Sequence, residues 1–549
     1  MPSHGFDVLV IGGGINGVAI ARECAQHGKR TLLVEQNDFA SGTTSRSTRI
    51  IHGGLRYLEH GEIGLVRESL RERERLLEES PHLVRPLQFL LLMPNKARSL
   101  RRSSLAIRTG LWLYHRWAGR EHAVHSDAQS LDRRLQAGES WSIYSYEDAQ
   151  CEFPERLVAE WLAEAVCAGA LVRNYTQALE ITRRAGHVTG ARLRDSISQQ
   201  EYFVSATSIV NATGPWADFI VSSSGIDAQR MVGGVRGSHL VLPKFGGSPP
   251  QPIYAEVPDG RQIFVLPWNG QILVGTTEAA DSDRPDKPQP SAGEVEYLMT
   301  SFLRLFPHSG LLKSDIRYSF AGVRPLPYAP GRKHSAVTRR HVLHDHRHEG
   351  AAGLVSVIGG KLTTAGSVAR DVARHLGLGI HEPACIFTPP AAEEDLDSTV
   401  RQWARLVAAK AGIPEESAHA VAEWHGRHAL AIAHAASLDE HLREPICKHS
   451  CHLVAEAVEA VAHECAITLG DILLRRVPVA LGACWSDECS HEAAGKIGLA
   501  LGWDEARIHS ELDRFEEERQ DFLHPKSLWP SGGQTPTTPI APTARTELT

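Results

Sequence analysis

The sequence predicts an α/β fold in three parts: a parallel-sheet domain, a mostly antiparallel-sheet layer, and a C-terminal all-α domain. Three observations carry this. Residues 6–36 read strand, glycine turn, helix, strand; residues 233–325 alternate apolar and polar positions between turns; residues 393–525 are almost wholly helical in pattern. The chain of 549 residues is too long for one core, so two or three domains are expected. A hydrophobic share of 42% with 22% charged residues is ordinary globular composition. The formal net charge of -7 excludes a chain-wide positive field for collecting nucleic-acid phosphates.

Phe6 to Ile11 is an apolar strand, Gly12 to Gly14 breaks it, Ile15 to His27 has helical spacing, and Thr31 to Val34 is a second buried strand. The turn carries Gly12-x-Gly14-x-x-Gly17, and Glu35 closes the following strand. Gly12 makes the turn, Gly14 admits a pyrophosphate against the backbone, and Gly17 lets helix and strand pack closely. The helix N-terminus stabilises the phosphates, and Glu35 is placed to accept from a ribose hydroxyl while repelling a 2′-phosphate. Strand, helix and acid in register therefore predict a Rossmann-like dinucleotide site that excludes NADP. FAD is favoured over NAD by a second strand and turn, Ile209 to Gly214, and a third, Val355 to Lys361, with a helix following.

The expected partition is 1–90 and 151–232 as the first two cofactor-binding segments, with a substrate-side insertion at 91–150. An antiparallel substrate sheet follows at 233–340, then a third cofactor-binding segment at 341–392, the helical domain at 393–525 and a disordered tail at 526–549. Strands are predicted at Val235–Leu242, Gln262–Pro267, Gln271–Thr277 and Ile316–Val323. Glu62 to Glu79 reads as a charged helix with a solvated face. Four prolines among residues 529–549 mark the tail.

The run Ser41 to Leu58, with Arg56, His52 and the Gly53-Gly54 pair, resembles the FAD-dependent, quinone-linked glycerol-3-phosphate dehydrogenase family. So do Asn211 to Trp216, Gly237-Ser238-His239, Leu266-Pro267-Trp268, Gly275-Thr276-Thr277, Gly322 to Leu326 and Gly359 to Thr364, in order over residues 6–376. The resemblance implies oxidation of sn-glycerol 3-phosphate to dihydroxyacetone phosphate, with electrons passed to quinone. It assigns cofactor binding to Gly12, Gly14, Asn16, Gly17, Glu35, Thr44, Ser45, Ser47, His52, Gly53, Gly54, Ala212, Thr213, Gly214, Gly359, Gly360, Lys361, Leu362 and Thr363. Arg56, Tyr57, Thr276, Arg324 and Lys361 are the expected substrate contacts; guanidinium forks suit phosphate. His239, titrating near neutrality, is the expected general base, with Arg324 and Lys361 as the other catalytic candidates. Alternatives left open are an oxidase using oxygen, an amino-acid or amine dehydrogenase of the same flavin fold, and a non-catalytic flavoprotein.

Residues 96–120 hold seven Lys or Arg and no acid, interleaved with Trp112, Tyr114 and Trp117. A basic amphipathic segment of this kind suits an anionic membrane surface, the alternative being a packed helix with a solvated basic face. No apolar run reaches the length of a membrane span, no secretory signal pattern opens the sequence, and nine scattered cysteines read as reduced thiols. The expectation is a cytoplasmic protein, peripheral on the inner membrane face, with a homodimer left open. No metal site is expected: His341, His344, His346 and His348 read as a solvated hairpin. Cys447, His449, Cys451 and His452 read as helix residues, and Cys484 and Cys489 as thiols with nothing to lower their pKa.

Overall fold

A computed structural model describes residues 5–59, 61–94, 104–118, 141–280, 287–332, 337–379 and 396–523. The predicted tail at 526–549 and the basic residues Lys96, Arg98, Arg101, Arg102 and Arg120 lie outside them.

The first sheet runs Val342–Asp345, Leu354–Ile358, Glu201–Asn211, Phe6–Ile11, Thr31–Val34 and Leu171–Arg173 across its width. Its central pairs are parallel: Phe6–Ile11 lies between Thr31–Val34 and Glu201–Asn211, so three chain segments end side by side at their carboxyl edges. In such sheets the crevice beyond the strand ends is where a ligand binds. The helix Ile15–Gln26 and the helix Ala365–His375 cover one face, burying Val18, Ile20, Val368 and Val372 against Val8, Val10 and Val355.

The second sheet orders Ala279–Ala280, Val232–Leu242, Gln271–Gly275, Gln262–Trp268, Ile253–Glu256, Val84–Pro94, Trp141–Cys151 and Ile50–Ile51, with Tyr318–Pro327 also on Val232–Leu242. It is antiparallel except where Ile253–Glu256 meets Val84–Pro94. Two of these strands, 84–94 and 141–151, fall in segments that the sequence partition assigns to the cofactor domain and an insertion. The second agrees with a substrate-side insertion at 91–150, while the first carries part of the 1–90 segment into the second sheet. Their register with each other is fixed by partners some fifty residues apart, and with Ile253–Glu256 by still more distant ones, which no local pattern reports.

The helix Ile63–Glu79 is not simply a solvated charged rod. Leu65, Val66, Leu70 and Leu76 are buried on its inner stripe, and Glu72 and Arg73 are buried with them. The C-terminal helices form a domain of their own, which meets the cofactor-sheet part of the molecule through Arg156, Asn174 and Tyr175 and through the carboxylate of Asp38. That buried carboxylate is held by Arg475 and, at 2.7 and 2.8 Å, by both Nη atoms of Arg476. Arg475 also reaches Asp471 at 2.9 Å. Buried charges persist only when paired and hydrogen-bonded in this way. Cys447 to His452 form turns ahead of the helix Val454–His463, so the helical reading of that stretch is corrected.

Candidate active site

The glycine turn is built as its spacing requires. Gly12 has φ +107°, and a Cβ there would lie 2.7 Å from the Ala212 carbonyl oxygen. A Cβ at Gly17 would lie 1.8 Å from the Gly12 carbonyl oxygen, so only glycine lets the helix approach the strand. Gly14 caps the helix Ile15–Gln26 with no side-chain bond, leaving the Asn16 and Gly17 N–H groups of its first turn for an anion. Thr44 Oγ1 accepts from Ile15 N–H at 3.1 Å and ties the Ser41 to Ser47 segment to that helix end.

These residues open on a cavity of about 860 Å³, lined by Gly12, Gly14, Asn16, Glu35, Thr44 and Ser47, by Ala212 to Gly214, and by Gly359 to Leu362. All three strand ends of the first sheet meet there. Glu35 lies on its wall, accepting from Gly13 and Asn37 N–H at 2.6 and 3.0 Å; burial holds its pKa above the usual carboxylate range. Asn16 donates to the Gly359 carbonyl at 3.5 Å, joining the first and third glycine turns. Its Oδ1 is buried without a partner among the described residues, an acceptor left for a bound molecule. Ser45 is buried and turned toward its own backbone, bonding the Ser41 and Gly42 carbonyls. Gly17 supports the turn from beneath, while Thr363 accepts from His52 N–H at 3.1 Å. The cavity and its polar lining fit an extended dinucleotide.

Beside this cavity the second sheet presents a different set. Val235 pairs with Arg324, Gly237 with Gly322, and His239 with Phe320 and Gly275. The two-residue period of strands puts His239, Gly237 and Arg324 on one face. The missing side chain at Gly237 makes room for the guanidinium of Arg324, which a Cβ would meet at 2.2 Å. Arg324 donates to Thr276 Oγ1 at 2.9 Å and to the Thr277 carbonyl at 3.3 Å. Burial and the neighbouring Arg339 lower its pKa to about 10, so it stays charged at neutral pH.

His239 is fully buried, stacked on Phe320 at 5.2 Å, with Nε2 2.9 Å from Thr48 Oγ1. Burial, with Arg324 and Arg49 nearby, pulls its pKa down to about 3. This corrects the expectation of a group titrating near neutrality: the imidazole is neutral throughout the working range. When Nε2 carries the proton and donates to Thr48, Nδ1, buried and without a partner among the described residues, is a lone-pair acceptor.

Lys361 donates to Ser69 Oγ at 2.7 Å, and its ammonium lies 4.5 Å from the centre of the Tyr57 ring. Burial draws its pKa down to about 7, opposed by Glu68, Glu62 and Asp148. Arg56 and Arg339 both approach Glu278, at 3.6 and 2.9 Å. Arg56, Arg324, Arg339 and Lys361 thus surround Tyr57 with excess positive charge. Sequence reasoning found three of these cations and missed Arg339. It lies outside the quoted motifs, beyond the end of the substrate strand, and only the fold returns it to the site.

A second missed set supports the Gly53-Gly54 pair. Gly53 N–H donates to Tyr114 Oη at 2.8 Å; that hydroxyl donates to Asp148 at 2.7 Å, and Arg73 donates to the same carboxylate at 2.9 Å. Burial raises Asp148 to about 6 despite Arg73. His52 is half-buried, its pKa lowered to about 3 by burial and by Lys361.

Residues 7–366 match the family model of the FAD dependent oxidoreductases, and residues 394–508 match that of the C-terminal domain of alpha-glycerophosphate oxidase. The chain is 34% identical over 545 residues to a glycerol-3-phosphate dehydrogenase of Synechocystis, covering 93% of this chain and 96% of that one. It belongs to the FAD-dependent glycerol-3-phosphate dehydrogenase family. An aerobic glycerol-3-phosphate dehydrogenase of Bacillus subtilis is 30% identical over 87% of each chain. The fold is that of the glycerol-3-phosphate dehydrogenase from Bacillus halodurans solved with FAD, at TM-score 0.74, 24% identity and coverage of 96% and 97%. FAD is the cofactor of this family member, and the cavity beyond the three strand ends has the lining to hold it.

Proposed function

We propose that the protein oxidises the C2 hydroxyl of sn-glycerol 3-phosphate to the ketone of dihydroxyacetone phosphate. The observation that carries this reading is the cationic cluster of Arg56, Arg324, Arg339 and Lys361 around Tyr57, next to a buried neutral histidine and beside the cofactor cavity. A dianionic phosphate is the counter-charge such a cluster favours, and the planar guanidinium forks can bind it through two bonds each.

FAD, when bound, supplies the two-electron acceptor. The chain's own residues orient the substrate and move the proton. Arg56, Arg324 and Arg339 hold the phosphate; Thr276 and Tyr57 offer hydrogen bonds. His239 Nδ1 takes the hydroxyl proton as the carbon loses its hydrogen with the electron pair. A pKa near 3 makes His239 a weak base, but a phosphate that neutralises Arg324 removes one cause of that depression and strengthens it. Lys361 polarises the reacting oxygen or shares the phosphate.

Electrons then pass to quinone at a membrane surface. Supporting this, the helix Ser104–Ala118 exposes Trp112 to 62% together with Arg108 and Arg116, while Leu111 and Tyr114 are buried under it. No helix among the described residues is long and apolar enough to cross a membrane, and a surface contact needs none.

Anaerobic stopped-flow mixing with glycerol 3-phosphate tests the assignment. Bleaching of the oxidised-flavin band is the expected result. Bleaching by glycine or sarcosine, with glycerol 3-phosphate inert, would transfer the protein to the amino-acid-oxidising branch of the fold. Steady-state turnover with a short-chain quinone against oxygen then separates dehydrogenase from oxidase.

A further inference from the structure

The edge strand Val342–Asp345 and the turn His346–Glu349 differ from the sequence expectation of a solvated hairpin. His341 and His346 are buried, and the strand pairs with Leu354–Ile358 in the cofactor sheet. His344, His346 and Glu349 each present one ligand atom, and these atoms lie within 4.8 Å of one another. We propose that this cluster is a binding site for a divalent first-row transition-metal ion, Zn²⁺ in the first instance, held by His344 Nε2, His346 Nδ1 and the Glu349 carboxylate.

Among the described residues, the protein's own bonding leaves two polar atoms of this cluster unsatisfied. His344 Nε2 and Glu349 Oε1 are 3.0 Å apart and form an ordinary ion-pair contact. That contact leaves Glu349 Oε2 and His346 Nδ1, 3.8 Å apart, both buried without a hydrogen-bond partner among the described residues. The His346 side chain has no exposed surface at all. Two orphaned buried polar atoms facing one another beneath an otherwise exposed turn are costly, and native proteins rarely leave them without an occupant. A cation joined to all three side chains satisfies both.

The ligand chemistry selects the ion. Two imidazoles and one carboxylate are a borderline-soft set suited to Zn²⁺ and its neighbours rather than to Ca²⁺ or Mg²⁺, which take oxygen ligands. Bond lengths of about 2.0–2.1 Å at a tetrahedral ion separate ligand atoms by roughly 3.3 Å. His344 Nε2 lies 3.0 Å from Glu349 Oε1 and His346 Nδ1 3.8 Å from Oε2 of the same carboxylate, with the three ligand atoms within 4.8 Å, so small side-chain rotations would bring one oxygen and both nitrogens to that separation. Three protein ligands leave the fourth position to water, and the half-exposed His344 ring gives a path from solvent.

The supporting shell is also in place. His346 Nε2 lies 2.8 Å from Ser356 Oγ, which accepts from Asn211 Nδ2 at 3.0 Å. A metal on Nδ1 puts the imidazole proton on Nε2, where Ser356 receives it, the usual outer partner of a metal-bound histidine. Asn211 Oδ1 in turn accepts from the Thr213 N–H and hydroxyl at 3.3 and 2.7 Å. The bound ion would therefore be linked through Ser356 to the second turn of the cofactor cavity. The other charged groups near the cluster are Asp345, which pairs with His375 and Arg347, and Asp218, which binds the Met231 and Val232 amides. Neither carboxylate contributes to the set.

The test uses the full-length FAD-loaded protein, stripped with a chelator and dialysed against micromolar Zn²⁺. Wild type should retain one equivalent more than His344→Gln or Glu349→Gln, with affinity at that site falling at least tenfold in each. Zn²⁺ should raise the melting temperature of wild type and not of the variants, whose flavin content stays normal. Co²⁺ substitution should give visible d–d bands that both variants lack. An anomalous scattering peak between the three side chains in Zn²⁺-soaked crystals checks the site without any substitution. Equal Zn²⁺ retention by wild type and variants, or an anomalous peak elsewhere and none between the three side chains, would overturn the assignment.

Discussion

If Lys361 contacts the substrate as proposed, it gives the site a pH dependence that can be worked out in advance. Its ammonium is half-buried, and burial lowers its pKa to about 7 in the substrate-free protein. Below that pH the side chain is cationic and favours a dianionic phosphate; above it the proton is lost, and with it this lysine's share of the attraction. The phosphate itself becomes dianionic only above its second pKa of about 6. Second-order flavin reduction should therefore peak between about pH 6 and 7. It should fall on the basic side by at most about tenfold per unit, equivalent to about 1.4 kcal/mol, and level off once the lysine is neutral, because the three arginines keep their charge. His239 adds no acid limb in this range, because it is already neutral. Lys361→Arg keeps the charge at all accessible pH and should carry the basic limb well above pH 9, whatever it does to the maximum rate. The assay is anaerobic stopped-flow bleaching of the flavin across the pH range for both proteins. A basic limb that stays in place in Lys361→Arg, or a flat profile in wild type, would refute the reasoning.

Other perturbations follow from single contacts. Arg324→Ala removes one charge-assisted phosphate bond of about 1.5–3 kcal/mol, so reduction efficiency should fall roughly 10- to 150-fold while FAD content stays normal; unchanged reduction kinetics would remove Arg324 from the site. Gly17→Ala forces a Cβ to within 1.8 Å of the Gly12 carbonyl, so the protein should purify with little FAD and melt earlier, as read by absorbance ratio and thermal denaturation. Arg476→Ala leaves the buried Asp38 short of two bonds and should cost about 3–5 kcal/mol of stability in denaturant titration; Asp38→Asn in the same background should recover part of that loss.

The Gly12-x-Gly14-x-x-Gly17 turn, Glu35 and the strands on either side were legible because their chemistry is local. A turn, a helix start and an acid closing the second strand need fixed spacing along the chain, and the structure keeps Phe6–Ile11 and Thr31–Val34 where the apolar pattern puts them. Arg324, His239 and Thr276 were reachable only through the family's motifs; strand register then brings them to one face. Other features were invisible from the sequence for a common reason. Arg339 beside Glu278, Tyr114 and Asp148 under Gly53, and Arg476 on Asp38 are pairings across tens to hundreds of residues, set by which elements pack together.

Burial was the other quantity the sequence could not supply. It makes His239 neutral, draws Lys361 to the middle of the pH range, and turns an apparently solvated histidine run into a half-enclosed cluster. Residue type sets what a side chain can do. The surrounding dielectric and the partners within hydrogen-bond reach decide its protonation state and its task, and both belong to the tertiary structure.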